Sequence, residues 1–291
     1  MERIVFDSRY NRDLAQVFTS SVAVELARGR VPKNLQTLIA EGASGLTVET
    51  TFGELFTAIH DHLWRGYRGE YIYKNAIARK ILLGRHSLST TRMFTEFRVE
   101  QAKADVVLVN GTTTAYEIKT ELDSLDRLKG QLASYCRVFD RVFVVTHEGS
   151  GKEVARVVSP RVGVIELSGQ YSLQVIRAAP SNIQSLSTAS IFDSLRREEY
   201  TRILEGAFGS APKAPSALMY RACKEQFAKL TRAAAHAGFA EALRKRPLAS
   251  ETCDLVKTAP PALTSLCLTA GLTGPEARAF ARVTLSRLKV A

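Results

Sequence analysis

The sequence contains no apolar run near the roughly 20 residues that a membrane-spanning helix needs. Its main apolar stretches, ADVVLV (104–109) and VFVV (142–145), have strand length. The N-terminal MERIVFDSRYNRD shows no basic segment followed by an apolar one, so no secretory leader is read there and a cytoplasmic location is expected. Cysteine is scarce. The four, at 136, 223, 253 and 267, form no CxxC pair and no His/Cys cluster with zinc spacing, which excludes a zinc ribbon and leaves reduced thiols. There is no long low-complexity tract and no repeat of fixed period, which excludes disordered, fibrous and solenoid classes. What remains is a chain of 291 residues, 45% hydrophobic and 24% charged, long enough to bury a large core and expected to form two domains.

The formal charge of +11 is unevenly spread: residues 1–180 carry 24 Lys and Arg against 20 Asp and Glu, and residues 181–291 carry 16 against 9. Such a surplus suits a polyanionic partner, because Lys and Arg release counterions when they contact phosphates.

Helical patterns fill the first 85 residues, in RDLAQVFTSSVAVELARG, TFGELFTAIHDHLWRG and EYIYKNAIARKILLG, each closed by glycine (29, 66 and 84) as a stop. The period then changes. MFTEFRVE, KADVVLV, TAYEIKT, RVFVVTH and RVGVIEL read as short strands, with Asn110-Gly111 marking a hairpin between the second and third. A helix, SLDRLKGQLASYCRVFD, separates the third strand from the fourth, with Leu125, Leu128, Leu132, Cys136 and Phe139 on one stripe. From about residue 186 only helical patterns remain, broken by GSAPKAPS, KRP and TAPPALT. The fold class is α/β, a central mixed sheet flanked by helices with a C-terminal all-helical region, divided into domains 1–180 and 181–291.

The stretch TTTAYEIKTELD places two charged residues, Glu117 and Lys119, in a strand otherwise suited to an interior. Buried charges are paired or have a chemical task. Residues i and i+2 of a strand share a face, so Glu117 and Lys119 point the same way. Asp105 opens the preceding strand and opposes Glu117 only if Val109 pairs with Thr113 across a three-residue loop, Asn110 to Thr112; a two-residue Asn-Gly turn would set it against Tyr116. Two converging carboxylates beside an ammonium suit a hard divalent cation, with the lysine facing phosphate or water.

The acidic residue on one strand, Glu117-Ile118-Lys119 on the next and a following helix resemble the PD-(D/E)xK nuclease superfamily, with Ala104 replacing the familiar proline. Gln131-Leu-Ala-Ser-Tyr135 on that helix is similar to the QxxxY motif of its RecB-like and phage-exonuclease branch. EYIYKNAIARKILLGRHS, FRVEQAKADVVLVNG, YEIKTELDSLDRLKGQLASY and FDRVFVVT together look like an uncharacterised bacterial family of predicted nucleases. The resemblance implies a restriction-endonuclease-like core and a Mg²⁺- or Mn²⁺-dependent deoxyribonuclease. It implies that Asp105, Glu117 and Lys119 are catalytic, that Glu70, Asp105, Glu117 and the Ile118 carbonyl bind the metal, and that Gln131 and Tyr135 position the strand. Glu70, aligned with Tyr73 and Ile77, is expected to face the interior. The loop GRHSLSTTR, with Arg85, His86 and Arg92, reads equally as a contact to a phosphate backbone or as a solvated basic loop, and Arg85 is the residue of it expected to bind nucleic acid. DNA is the expected partner, with RNA and oligomeric state open. The other readings are a catalytically silent nucleic-acid-binding module and a protein-docking partner on a nuclease-like scaffold. Glu121 and Asp123 fit the turn before the helix. His60 and His62 diverge by about 200° on a helix and are no ligand pair.

Overall fold

The computed structural model describes residues 4–288, which form two compact units: those up to Arg85 with those from Pro247 onward, and His86–Arg246. In the first unit, strands β1 (Val5–Phe6) and β2 (Ala43–Ser44) pair antiparallel. The helix expected over residues 12–29 is two, α1 (Asn11–Gln16) and α2 (Ser20–Ala27), followed by α3 (Lys33–Thr37). Gly29, with φ +76°, is the left-handed stop after α2. The other two lack a positive φ: Gly66 is the last residue of α4 (Phe52–Gly66), where the helix was expected to end, whereas Gly84, with φ −79°, lies within a helical run that continues to Arg85.

Helix α4 starts at a reciprocal cap: the Glu54 N–H donates to the Thr51 hydroxyl at 3.2 Å and the Thr51 N–H to the Glu54 carboxylate at 2.8 Å. It buries Phe52, Leu55, Phe56, Ile59 and Leu63, one face of a 3.6-residue period. Helix α5 (Glu70–Ile77) runs on into a wider π-type segment, Ala78–Leu83.

The second unit holds a six-stranded mixed sheet in the order β3-β4-β5-β6-β7-β8: β3 (Arg92–Val99), β4 (Ala102–Val109), β5 (Thr113–Lys119), β6 (Arg141–His147), β7 (Gly163–Leu167) and β8 (Leu173–Arg177). Strands β5, β6 and β7 are parallel and the rest antiparallel. Helices α6 (Leu128–Cys136) and α7 (Gly151–Val157) make the two crossovers that parallel neighbours require. The expectation from sequence lacked β8. It is an edge strand with Gln174, Val175 and Ile176 exposed, so it shows no inside/outside alternation.

Four more helices, α8 (Thr188–Asp193), α9 (Arg197–Phe208), α10 (Ser216–Phe227) and α11 (Arg232–Arg244), supply Phe192, Leu204, Phe227 and Phe239 to the core that Val107, Val144 and Phe139 enter from the sheet side. Phe97, Phe139 and Phe239 meet there with ring centroids about 6 Å apart. Contacts therefore divide the chain after Arg85 and after Arg246, not at residue 180. The helices that follow the sheet in sequence share its core, while α12 (Ser250–Thr258), α13 (Thr264–Thr269) and α14 (Gly274–Leu285) belong with the N-terminal helices. The Asn75 carboxamide ties α5 to that segment, donating to the Pro261 carbonyl at 3.1 Å and accepting from the Ser265 N–H at 3.0 Å. No helix among the described residues is long and apolar enough to cross a membrane, and the four cysteines are free of disulfides.

Candidate active site

Val109 pairs with Thr113, so Asn110, Gly111 and Thr112 form a three-residue loop, with Gly111 at φ +103° and the Asn110 N–H donating to the Thr112 carbonyl at 3.1 Å. The same register pairs Val106 with Tyr116 and so sets Asp105 beside Glu117. Asp105 reaches one residue further: its Oδ2 accepts the Ile118 N–H at 2.6 Å. Ile118 itself is buried in the parallel ladder opposite Val145. Glu117 is 1% exposed. Its Oε1 lies 3.2 Å from Lys119 Nζ, the same-face neighbour that strand alternation demands.

Tyr135 on α6 completes the group. Its hydroxyl lies 2.9 Å from Glu117 Oε2 and 2.5 Å from the Lys103 carbonyl, two acceptors for one proton. Burial, and then the neighbouring Glu117 and Asp105 charges, push the phenol far above its ordinary range. Tyr135 is fully buried and bound to the acidic group, so the expectation that it positions a nucleic-acid strand is corrected. Leu128 and Leu132 are buried with it, so Tyr135 belongs to the buried face of the helix. Gln131, one turn earlier, is half-buried, and its Oε1 has no hydrogen-bond partner.

The other expected site residues have surroundings of their own. Glu70 opens α5 in the first unit with its side chain 49% exposed and 2.5 Å from Lys74 Nζ, while Tyr73 and Ile77 are fully buried. It therefore does not face the interior with them: a first-turn side chain leans toward the helix N-terminus, beyond the packed turns. Arg85 is exposed at the end of the same helical run. Arg92 is occupied by the Leu88, Thr91 and Arg246 carbonyls, a structural role that neither reading of this loop gave it. Asp123 caps its own turn, accepting from the Thr120 N–H and hydroxyl. His60 lies 3.3 Å from the Asn75 amide and His62 2.8 Å from Asn11.

One acidic residue escaped the sequence reading. Thr95 pairs with Val106 and Phe97 with Ala104, which sets Glu96 opposite Asp105, with an oxygen of each within 4.8 Å of the other. Glu96 has φ +53°, a left-handed conformation that costs a non-glycine residue about 1 kcal/mol or more. Inside/outside alternation slips there on both strands: Phe94 and Phe97, and likewise Ala104 and Val107, all pack toward the α6 side. The hairpin turn Glu100-Gln101 fixes this register, but no composition signal marks it.

These residues define the class: an α/β protein whose mixed sheet carries, on paired strands, two carboxylates and a lysine backed by a buried tyrosine. The chain belongs to the family described as bacteriophage P4 protein cII, whose profile matches residues 65–248. Protein cII of Enterobacteria phage P4 is 40% identical over 70 residues, 24% of this chain and 26% of that protein, so the match spans about a quarter of the relative's length. A solved protein of unknown function from Silicibacter pomeroyi aligns over 46% of this chain and 88% of its own at 16% identity with a TM-score of 0.31, a likeness too low to carry an argument.

Proposed function

We propose that the chain is a cytoplasmic, metal-dependent nuclease that hydrolyses DNA phosphodiester bonds on a restriction-endonuclease-like core of the PD-(D/E)xK type. The observation that supports this most directly is the β4/β5 register: Val109 against Thr113 brings the Asp105 carboxylate onto the Ile118 N–H, beside Glu117 and Lys119. A two-residue turn would have separated them.

The donor set fits a hard cation, since Asp105 and Glu117 offer carboxylate oxygens from adjacent strands and no soft ligand stands among them. When bound, Mg²⁺ or Mn²⁺ would polarise a phosphodiester and lower the pKa of a bound water. Asp105 is fixed by the Ile118 N–H and Glu117 by the Tyr135 hydroxyl, so both carboxylates are oriented before substrate arrives. Lys119 is the group that orients the attacking water and offsets the negative charge that develops on phosphate. The net charge of +11 favours the polyanion.

The test is incubation of purified protein with linear, circular and single-stranded DNA in Mg²⁺, Mn²⁺ or EDTA, with RNA as a parallel substrate, then repetition with Glu117→Ala and Lys119→Ala. Metal-dependent DNA cleavage lost in both variants is the expected result. Cleavage that survives both would sink the assignment, and DNA binding without cleavage would make the chain a silent module.

A further inference from the structure

We infer that Lys119 is held on Glu117 Oε1 and released when a divalent cation takes that oxygen, so ion binding and readiness of the lysine are one event; this rests on the ion site proposed above. The two oxygens of Glu117 face different partners. Oε2 accepts from Tyr135, a fully buried residue whose hydroxyl also reaches the Lys103 carbonyl and whose ring packs against Phe139. That contact comes from the helix layer and leaves the tyrosine little freedom to move. Oε1 faces Lys119 Nζ at 3.2 Å. The lysine is the mobile partner, a single charge on a flexible stem with three rotatable donors, at the C-terminal end of β5 with its side chain 13% exposed.

A cation approaching Asp105 and Glu117 thus meets an ammonium already on one of the oxygens it needs. Two positive charges a few ångströms apart in a partly desolvated site repel strongly, so one must leave. Asp105 and Glu117 would both hold the cation, which carries twice the charge of the ammonium that pairs with Glu117. Lys119 then swings off Glu117 and becomes available to phosphate or water. Without the ion, the pair supplies a counter-charge to a buried carboxylate.

The test uses the full chain and does not depend on turnover. Mn²⁺ affinity is measured by electron paramagnetic resonance for the wild type, Lys119→Met, Lys119→Arg, Lys103→Met and Glu117→Gln, each first shown by circular dichroism to fold. Lysines are reductively methylated with ¹³C, and the Lys119 signal, identified by its absence in Lys119→Met, is followed as Mg²⁺ is added. Removing the competitor in Lys119→Met is expected to tighten Mn²⁺ binding roughly tenfold or more. Lys119→Arg should bind no tighter than the wild type. Lys103→Met, which removes an exposed charge from the neighbouring strand, should change affinity by about twofold or less. The Lys119 signal should shift in step with Mg²⁺ occupancy. Mn²⁺ binding that is unchanged or weakened in Lys119→Met, or a Lys119 signal that stays fixed while Mg²⁺ binds, would overturn the inference and leave the ion site standing. Equal tightening in Lys119→Met and Lys103→Met would also overturn it, as general electrostatics. If neither the wild type nor Lys119→Met binds Mn²⁺, the ion site and the inference fall together. Glu117→Gln should abolish binding; retention there would place the ion elsewhere and overturn both.

Discussion

Two glutamates of the sheet-containing unit are buried to a similar degree and each faces a cation, yet they are built differently. Glu199 meets the fork of Arg246, with Nε 2.7 Å from Oε1 and Nη2 2.9 Å from Oε2, and its Oε2 also accepts the Arg196 N–H at 2.8 Å. The Arg246 guanidinium lies over Phe94 and Phe97, with centroids 5.5 and 5.6 Å away. Charge, planar geometry and ring faces are all matched, so neither partner has anywhere better to go. Glu117 has a single-point lysine on one oxygen and a hydroxyl on the other. Burial and an ion pair do not by themselves mark a chemical site; the two pairs differ in that Arg246 grips Glu199 at two points and Lys119 meets Glu117 at one.

Four changes break or sharpen this contrast. The largest effect is expected for Glu117→Gln, which keeps shape and a hydrogen-bond acceptor but removes charge: cleavage of linear DNA in Mg²⁺ should fall by about 10³-fold in a gel assay. The melting temperature should move little. Arg246→Ala should do the reverse, leaving the Glu199 carboxylate buried without its main partner and costing about 3 kcal/mol in chemical denaturation. Equal sensitivity of activity and stability to both substitutions would erase the distinction.

Tyr135→Phe removes one hydroxyl from two acceptors and should cost about 1–2 kcal/mol of stability. Mn²⁺ affinity should drop as well, because Glu117 loses its fixed orientation. Unchanged affinity would mean that Tyr135 only packs.

The smallest effect concerns acid. Burial alone would raise the Glu199 carboxyl, but the Arg246 guanidinium and the Arg196 N–H outweigh it and hold the folded value below the usual range. A depressed folded value makes the pair's stabilisation complete above about pH 4.5, and it fades as pH falls further, because the unfolded chain takes up the proton first. Melting temperature against pH should therefore drop more steeply below about 4.5 for the wild type than for Glu199→Gln; parallel curves would remove this pair as the source.

Much of the site was legible beforehand because it is local. Asp105, Glu117 and Lys119 sit within 15 positions of one another, and strand alternation with one loop length fixes whether they converge. The demand that Val109 face Thr113 could be written from sequence and is met. Glu96 was not legible, since its place depends on a positive φ and a slip in alternation that no residue type announces. Nor was the role of Tyr135: helical spacing put it beside an apolar stripe, but which way its hydroxyl points depends on how α6 lies across β4 and β5. The inward orientation expected for Glu70 fails for a related reason, since periodicity speaks for the packed turns of a helix and not for its first residue.

By itself the sequence determined the α/β class, five of the six sheet strands and the shared face of Glu117 and Lys119, because each follows from backbone periodicity, while the loop length that brings Asp105 to them is read from the structure. Tertiary structure alone decided that α8–α11 share the core of the sheet, that Tyr135 holds Glu117 from behind, and that Arg246 rather than a lysine closes on Glu199. Those contacts join residues up to about 140 positions apart, and only the burial of apolar faces against one another brings them together.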